Sequence, residues 1–263
     1  MKSFLMKSYT LLIFFFLYAP ILILMIFSFN DSKSRGNWDG FTLRWYIELF
    51  QDGQIASALY YTLVVAILAS LIATLIGTLA AIGINNMHGF PKAMTLNVTY
   101  LPMLSPDIVM GISLMLLFIF IKFKLGFMTM LFAHITFNLP FVIFSVLPKL
   151  RQLSDDTYDA ALDLGATPFE AYKKVIMPQI SPGIITGFLL AFTMSIDDFV
   201  VSFFTTGSGV SNLAITIYSM ARRGINPKIN ALLTLMFIFI MIILVFVNYR
   251  MAKDKSNEKR DMY

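Results

Sequence analysis

Long apolar runs alternate with short polar loops along this chain. The runs lie near 9–29, 58–84, 94–121, 127–147, 183–204 and 230–249. Each is long enough to cross a hydrocarbon core of about 30 Å as a helix. The pattern predicts an all-α integral membrane protein with about six transmembrane helices. The first run follows Lys2 and Lys7, as the h-region of a signal peptide would. Its length exceeds the roughly 7–15 apolar residues of such a region, and no small-x-small site closes it. It reads as a retained helix, bent near Pro20.

The polar loop at 148–182 departs from the pattern because it carries helix signals of its own. Ser154 can cap a helix whose first turn holds Asp155 and Asp156, which suit the positive dipole end. Tyr158, Ala161, Leu162 and Gly165 fall along one side, and Gly165 supplies a stop. Thr167-Pro168-Phe169-Glu170 then has a cap, a proline at the first helical position and a glutamate at the third, the pattern of a capping box. Phe169, Tyr172 and Ile176 share a face, with Lys173 and Lys174 opposite. Pro178 ends this second helix, and Ser181-Pro182 starts the next. Two short helices meeting at a glycine corner, with a small Ala160-Ala161-Gly165 surface, predict a socket for something outside the bilayer.

Within the spans, Ser70, Ala73, Thr74, Gly77, Ala80 and Ala81 recur at helical spacing and mark one face for close helix packing. Gly183 and Gly187 do the same in the fifth run. The 30–56 segment places Trp38, Trp45, Tyr46 and Phe50 beside charges. An amphipathic helix over Leu43–Phe50 fits it, either as an aromatic belt or as a docking element.

Composition agrees with a lipid environment. The chain is 58% apolar and 13% charged, with 26 Phe and 17 Met, and its mean hydropathy is +0.76. Soluble domains carry about 25% charged residues. There are no cysteines, which removes disulfides, thiol catalysis and thiolate metal sites. The net charge of +5 is informative by loop and is no sign of nucleic-acid binding. With both termini inside, 12 Lys and Arg lie on the inner side and 8 on the outer. That bias favours cytoplasmic termini and places the Asp159 loop in the cytoplasm.

Three carboxylates fall within apolar runs: Asp107 beside Pro102 and Pro106, and Asp197 with Asp198 late in the fifth run. Each costs about 2.5–3.5 kcal/mol at membrane depth and is expected to face a cavity or a partner. Prolines beside Asp107 free backbone groups, which is tolerated where helices line a pathway. The outer-half placement suits a cation arriving from outside. An inward-moving trication gains about 7 kcal/mol per 100 mV, and carboxylates offset the desolvation of its ammonium groups. Tyr218, Phe203 and Phe204 could add cation–π attraction. In the alternative reading, Asp197 and Asp198 cap a helix or pair with Arg222 or Arg223. His134 has no i+4 histidine and no carboxylate nearby in sequence, so it reads as a helix-packing residue.

Motifs for intramembrane chemistry are missing. Neither Gly-x-Gly-Asp, Gly-x-Ser-x-Gly nor His-Glu-x-x-His occurs, which argues against a protease. No Gly-Lys dipeptide occurs either, so there is no phosphate loop for ATP. No catalytic or metal-ligating set is assigned.

Asp159-Ala160-Ala161, Gly165 and Val175-x-Met177-Pro178 resemble the EAA loop of ABC importer permeases, with Asp for Glu, Val for Ile and Met for Leu. Ser28–Ser32, Leu104–Met110, His134–Phe141 and Ser195–Val200 resemble segments of the spermidine/putrescine permeases of that class. The resemblance implies a MetI-like type I importer permease fold with cytoplasmic coupling helices. It implies an N-terminal helix and outer segment over 1–56, a permease domain over 57–250 and a charged tail over 251–263. It also implies a second permease, two ATPase subunits that carry ATP and magnesium, and an extracytoplasmic polyamine-binding protein. Asp159, Ala160, Ala161, Gly165 and Pro178 would couple to the ATPase, and Asp107, Asp197 and Asp198 would line the substrate path. The location implied is the cell membrane. Ferric ion or thiamine remains open as an alternative cargo within the same class.

Overall fold

The structure, a computed structural model, describes residues 2–32, 37–154, 156–224, 227–239 and 241–242. In chain order the helices are α1 (Lys2–Phe27), α2 (Arg44–Phe50), α3 (Gly53–Asn85), α4 (Gly89–Leu104), α5 (Asp107–Phe120) and α6 (Phe127–Arg151). After them come α7 (Asp156–Asp163), α8 (Pro168–Glu170), a π-helical turn (Ala171–Ile176), α9 (Met177–Asp197), α10 (Val200–Thr205) and α11 (Leu213–Arg222). A shorter apolar helix, α12, covers Pro227–Phe239. Among the described residues, four helical stretches are long and apolar enough to cross a membrane, Met6–Phe27, Gly53–Asn85, Phe127–Arg151 and Pro168–Asp197, and the bent pair α4 and α5 would make a fifth if it is one span. Most of the final run beyond α12, the tail at 251–263, and Asp155 lie outside the described residues.

Three of the expected helices are built differently, each for a proline or capping reason. The run at 94–121 is two helices, α4 and α5, bent by 107° at Ser105-Pro106. Proline lacks an N–H and disfavours the α region for the residue before it. Ser105 accordingly adopts φ −75° and ψ 138°, an extended conformation. Asp107 thus opens the second helix of this bent pair, at the break and not within a continuous helix. The run at 183–204 breaks at Asp198, which has φ −68° and ψ 123°. Pro178, expected to end a helix, does not. The backbone passes through it without interruption because the turn before it widens to a π-helix, in which the Met177 N–H donates to the Tyr172 carbonyl. Such a bulge lets a helix accommodate a residue that cannot complete the ordinary ladder.

Two compact units divide the chain: Ser57–Thr216, and Met1–Ala56 with Ile217–Tyr263. In the second, the amphipathic α2 forms as expected. Trp45 is buried and its indole N–H donates to the Asn30 carbonyl at 2.8 Å. The Tyr46 and Ser28 hydroxyls share a hydrogen bond of 2.6 Å. Lys228 reaches Glu48 at 3.4 Å and Asp52 at 3.5 Å.

The Ser57–Thr216 unit is organised around α3, α6 and α9. Ala73, Ala81, Val142, Val146, Ile180 and Ala191 are fully buried in its main cluster. Helices in lipid gain little from hydrophobic burial against one another, so they rely on close van der Waals approach at small residues. A Cβ on Gly183 would come within 2.8 Å of the Ser145 carbonyl oxygen, and one on Gly77 within 2.8 Å of the Val142 side chain. The small-residue faces read from the sequence are these seams.

Candidate functional site

At one end of the Ser57–Thr216 unit lies the polar knob. Helix α7 ends in a Schellman motif: the Gly165 N–H donates to the Leu162 carbonyl at 2.8 Å and the Ala166 N–H to the Ala161 carbonyl at 3.1 Å. This motif wants a left-handed residue just past the helix end, and Gly165 has φ +86°. The capping box also forms. The Glu170 N–H donates to Thr167 Oγ1 at 3.3 Å, and Glu170 Oε2 accepts from the Thr167 N–H at 3.1 Å. Ser154 contributes its carbonyl to the Thr157 N–H.

The knob is tied to the spans by aromatic and amide groups. The Tyr158 and Tyr172 rings lie 5.2 Å apart, and Asn86 Nδ2 donates to the Tyr172 hydroxyl at 3.3 Å. Asn86 directly follows α3, so this bond links the knob to the end of that helix. A cleft of about 390 Å³ opens between Ile82, Asn85, Leu150, Tyr158, Tyr172 and Ile176.

The expected socket surface needs correction in two places. Ala161 is buried beneath α7, so Asp159, Ala160 and Gly165 form the outer surface. Phe169, expected to share a face with Tyr172 and the buried Ile176, is 73% exposed, and Leu164 is 90% exposed. Position 169 is in the first turn, before the helix reaches the core, and the Lys173 ammonium lies over its ring, 5.8 Å from the centroid. Both exposed apolar side chains flank the polar corner at Gly165. Leu164 was legible only as an apolar residue beside a glycine stop. A Cβ on Gly165 would meet nothing within 4 Å, so that position is constrained inside the chain by its backbone conformation alone. Pro178 is exposed.

The three carboxylates lie toward the opposite end, where the helices break. Along α6, about 25 Å of helix separates Arg151 from His134. Asp107 is exposed in the first turn of α5, and Asp197 is exposed at the end of α9. Gly111, one turn beyond Asp107, packs against the Val200 carbonyl and Phe204, so the elements bearing Asp107 and the Asp pair are neighbours.

Asp198 is different, and here the capping alternative is the one observed. Its Oδ1 accepts the Val201 N–H at 3.1 Å and its Oδ2 the Ser202 N–H at 2.7 Å, which caps α10. The basic side chain beside it is His134, not an arginine: Nε2 lies 3.4 Å from Asp198 Oδ2. His134 is thus more than a packing residue, and its partner lies 64 positions away in the chain. No sequence window joins them. The available signal was that an imidazole inside an apolar span needs polar partners.

Several membrane-length helices, helix breaks beside carboxylates and a capped knob at the other end define a helical membrane protein with two separate polar regions. The chain matches the family of binding-protein-dependent transport system inner membrane components over residues 73–253, and it belongs to that family. It is 39% identical over 244 residues to the spermidine/putrescine transport system permease protein PotC of Escherichia coli (strain K12), covering 93% of this chain and 92% of the relative. Identity to the putrescine transport system permease protein PotI of the same strain is 38%, covering 96% and 92%. The fold resembles a crystal structure of a bacterial ABC transporter that imports the acidic polysaccharide alginate. The TM-score is 0.71 at 17% identity, with 94% of this chain and 95% of the other covered.

Proposed function

We propose that this chain is the permease subunit of an ATP-driven polyamine importer, with spermidine or putrescine as cargo. The observation that carries the reading is similarity over nearly the whole chain to permeases named for those two cargoes. The chain works with a second permease, two ATPase subunits that bind ATP and magnesium, and an extracytoplasmic polyamine-binding protein. It catalyses no hydrolysis itself. Both termini and the knob are cytoplasmic, as the charge bias favours.

Asp159, Ala160, Ala161, Gly165 and Pro178 form the coupling element, with Leu164 and Phe169 as its apolar contacts. Closure of the ATPase pair moves the knob, and Tyr172 and the π-helical turn pass the motion to α3 and α9. Asp107 and Asp197 face the passing ammonium groups. Asp198 serves them by holding the break between α9 and α10.

The test is to reconstitute the chain with its co-purifying partners in proteoliposomes and add candidate ligands with the binding protein. Spermidine or putrescine is expected to stimulate ATP hydrolysis. Stimulation by ferric ion or thiamine, with none by polyamines, removes the cargo assignment.

A further inference from the structure

His134 is almost completely buried, yet both ring nitrogens are engaged. Nδ1 lies 2.6 Å from Ser195 Oγ on α9, and Nε2 lies 2.8 Å from Ser202 Oγ on α10. Nε2 also faces Asp198 Oδ2 at 3.4 Å. One side chain of α6 therefore joins the two helices on either side of the Asp198 break. The Asp198 carbonyl is held separately: Asn212 Nδ2 donates to it at 2.8 Å, while Asn212 Oδ1 accepts the Ile215 N–H at 2.8 Å. The edge of the Phe137 ring closes one side of the imidazole, with centroids 5.3 Å apart.

The consequence for the adjacent acids is a division of roles. Asp198 turns inward, where the histidine and two backbone N–H groups satisfy it. Asp197, one residue earlier and still helical, is left outward and exposed. Asp198 leaves the helix at ψ 123°, so fixing its carboxylate and carbonyl also fixes where α9 ends and which way Asp197, its last residue, projects. A buried polar network with every member satisfied fixes one arrangement.

We infer that His134 is a positioning residue for transport: by clamping Ser195, Asp198 and Ser202 across the α9–α10 break, it holds Asp197 toward the substrate path. The inference rests on the proposed placement of Asp197 in that path. His134 touches no substrate. It acts through the geometry of the break.

The test uses the reconstituted complex, with polyamine uptake normalised to the amount of assembled complex. Gln at 134 places an amide near the Nε2 position and can address Ser202 and Asp198. Leu fills similar volume and addresses neither. His134→Gln should retain several-fold more uptake than His134→Leu. Asp197→Asn should lower uptake about tenfold, and adding His134→Leu to it should lower uptake no further than about twofold. If His134→Leu does not accumulate, Ser202→Ala takes its place in the same cycle, with the same non-multiplying outcome expected. Equal uptake by Gln and Leu, or losses that multiply in the double variant, overturns the inference while leaving Asp197 in the path. Full uptake by Asp197→Asn removes the path reading, and the inference falls with it.

Discussion

The two ends of the Ser57–Thr216 unit solve opposite problems with polar groups. At the knob, the polar contacts that build its helices are local, and a longer bond, from Asn86 to Tyr172, ties it to the end of α3. The Schellman bonds and the capping box link residues no more than five apart, and the apolar Leu164 and Phe169 are left bare. At the carboxylate end, the polar contacts are distant in sequence. His134 reaches Ser195 and Ser202, 61 and 68 residues away, and the Leu213 N–H donates to Thr62 Oγ1 across 151 residues. A knob made of local contacts can move as a body and present a surface. A buried network across several helices holds one geometry at membrane depth, where an unsatisfied group is costly.

The strongest way to break the comparison is to sever the element that joins the two ends. Gly183 lies where α9 crosses α6, and a side chain there meets the Ser145 backbone. Overpacking of this kind costs about 1–3 kcal/mol or more. Gly183→Val should abolish accumulation of the assembled complex, read by quantitative immunoblot of membranes. Normal levels would mean that the α6–α9 seam tolerates separation.

Next in size, the apolar knob surface can be made polar. Leu164→Ser combined with Phe169→Ser should cost most of the ATPase co-purification, while the binding protein still docks. Retention of the ATPase would make these side chains lipid-facing ornaments of a connector. A smaller effect is expected at Gly165. Gly165→Ala meets open space, so its cost is the left-handed backbone alone, about 1–2 kcal/mol. Hydrogen exchange over 156–166 should rise while the rest of the chain keeps its protection. Smallest is Thr167→Ala, which removes one cap worth about 1 kcal/mol and should raise exchange only over 168–172.

The same contrast explains how much was readable in the chain. Caps, the glycine corner and small-residue seams are encoded within a few residues, so the knob and the α3 and α9 faces were legible. Phe169 misled because periodicity identifies a face without saying what covers it. Pro178 misled because a π-helical turn absorbs its missing N–H. Pro106 was noticed as a breaker, but neither the 107° size of the bend nor the packing of α5 against α10 at Gly111 is contained in a local window. The structural part of Asp198 and the work of His134 depend wholly on contacts across the fold.

The central claim is that energy enters at the knob and polyamine passes at the carboxylate end. Measuring ATP hydrolysis and polyamine uptake together in the same proteoliposomes tests it most directly. Gly165→Asp should lower both activities in proportion, because the motion no longer reaches the spans. Asp197→Asn should lower uptake about tenfold, equivalent to about 1.4 kcal/mol, while hydrolysis stimulated by loaded binding protein persists. Identical ratios of uptake to hydrolysis in both variants would contradict the division of labour.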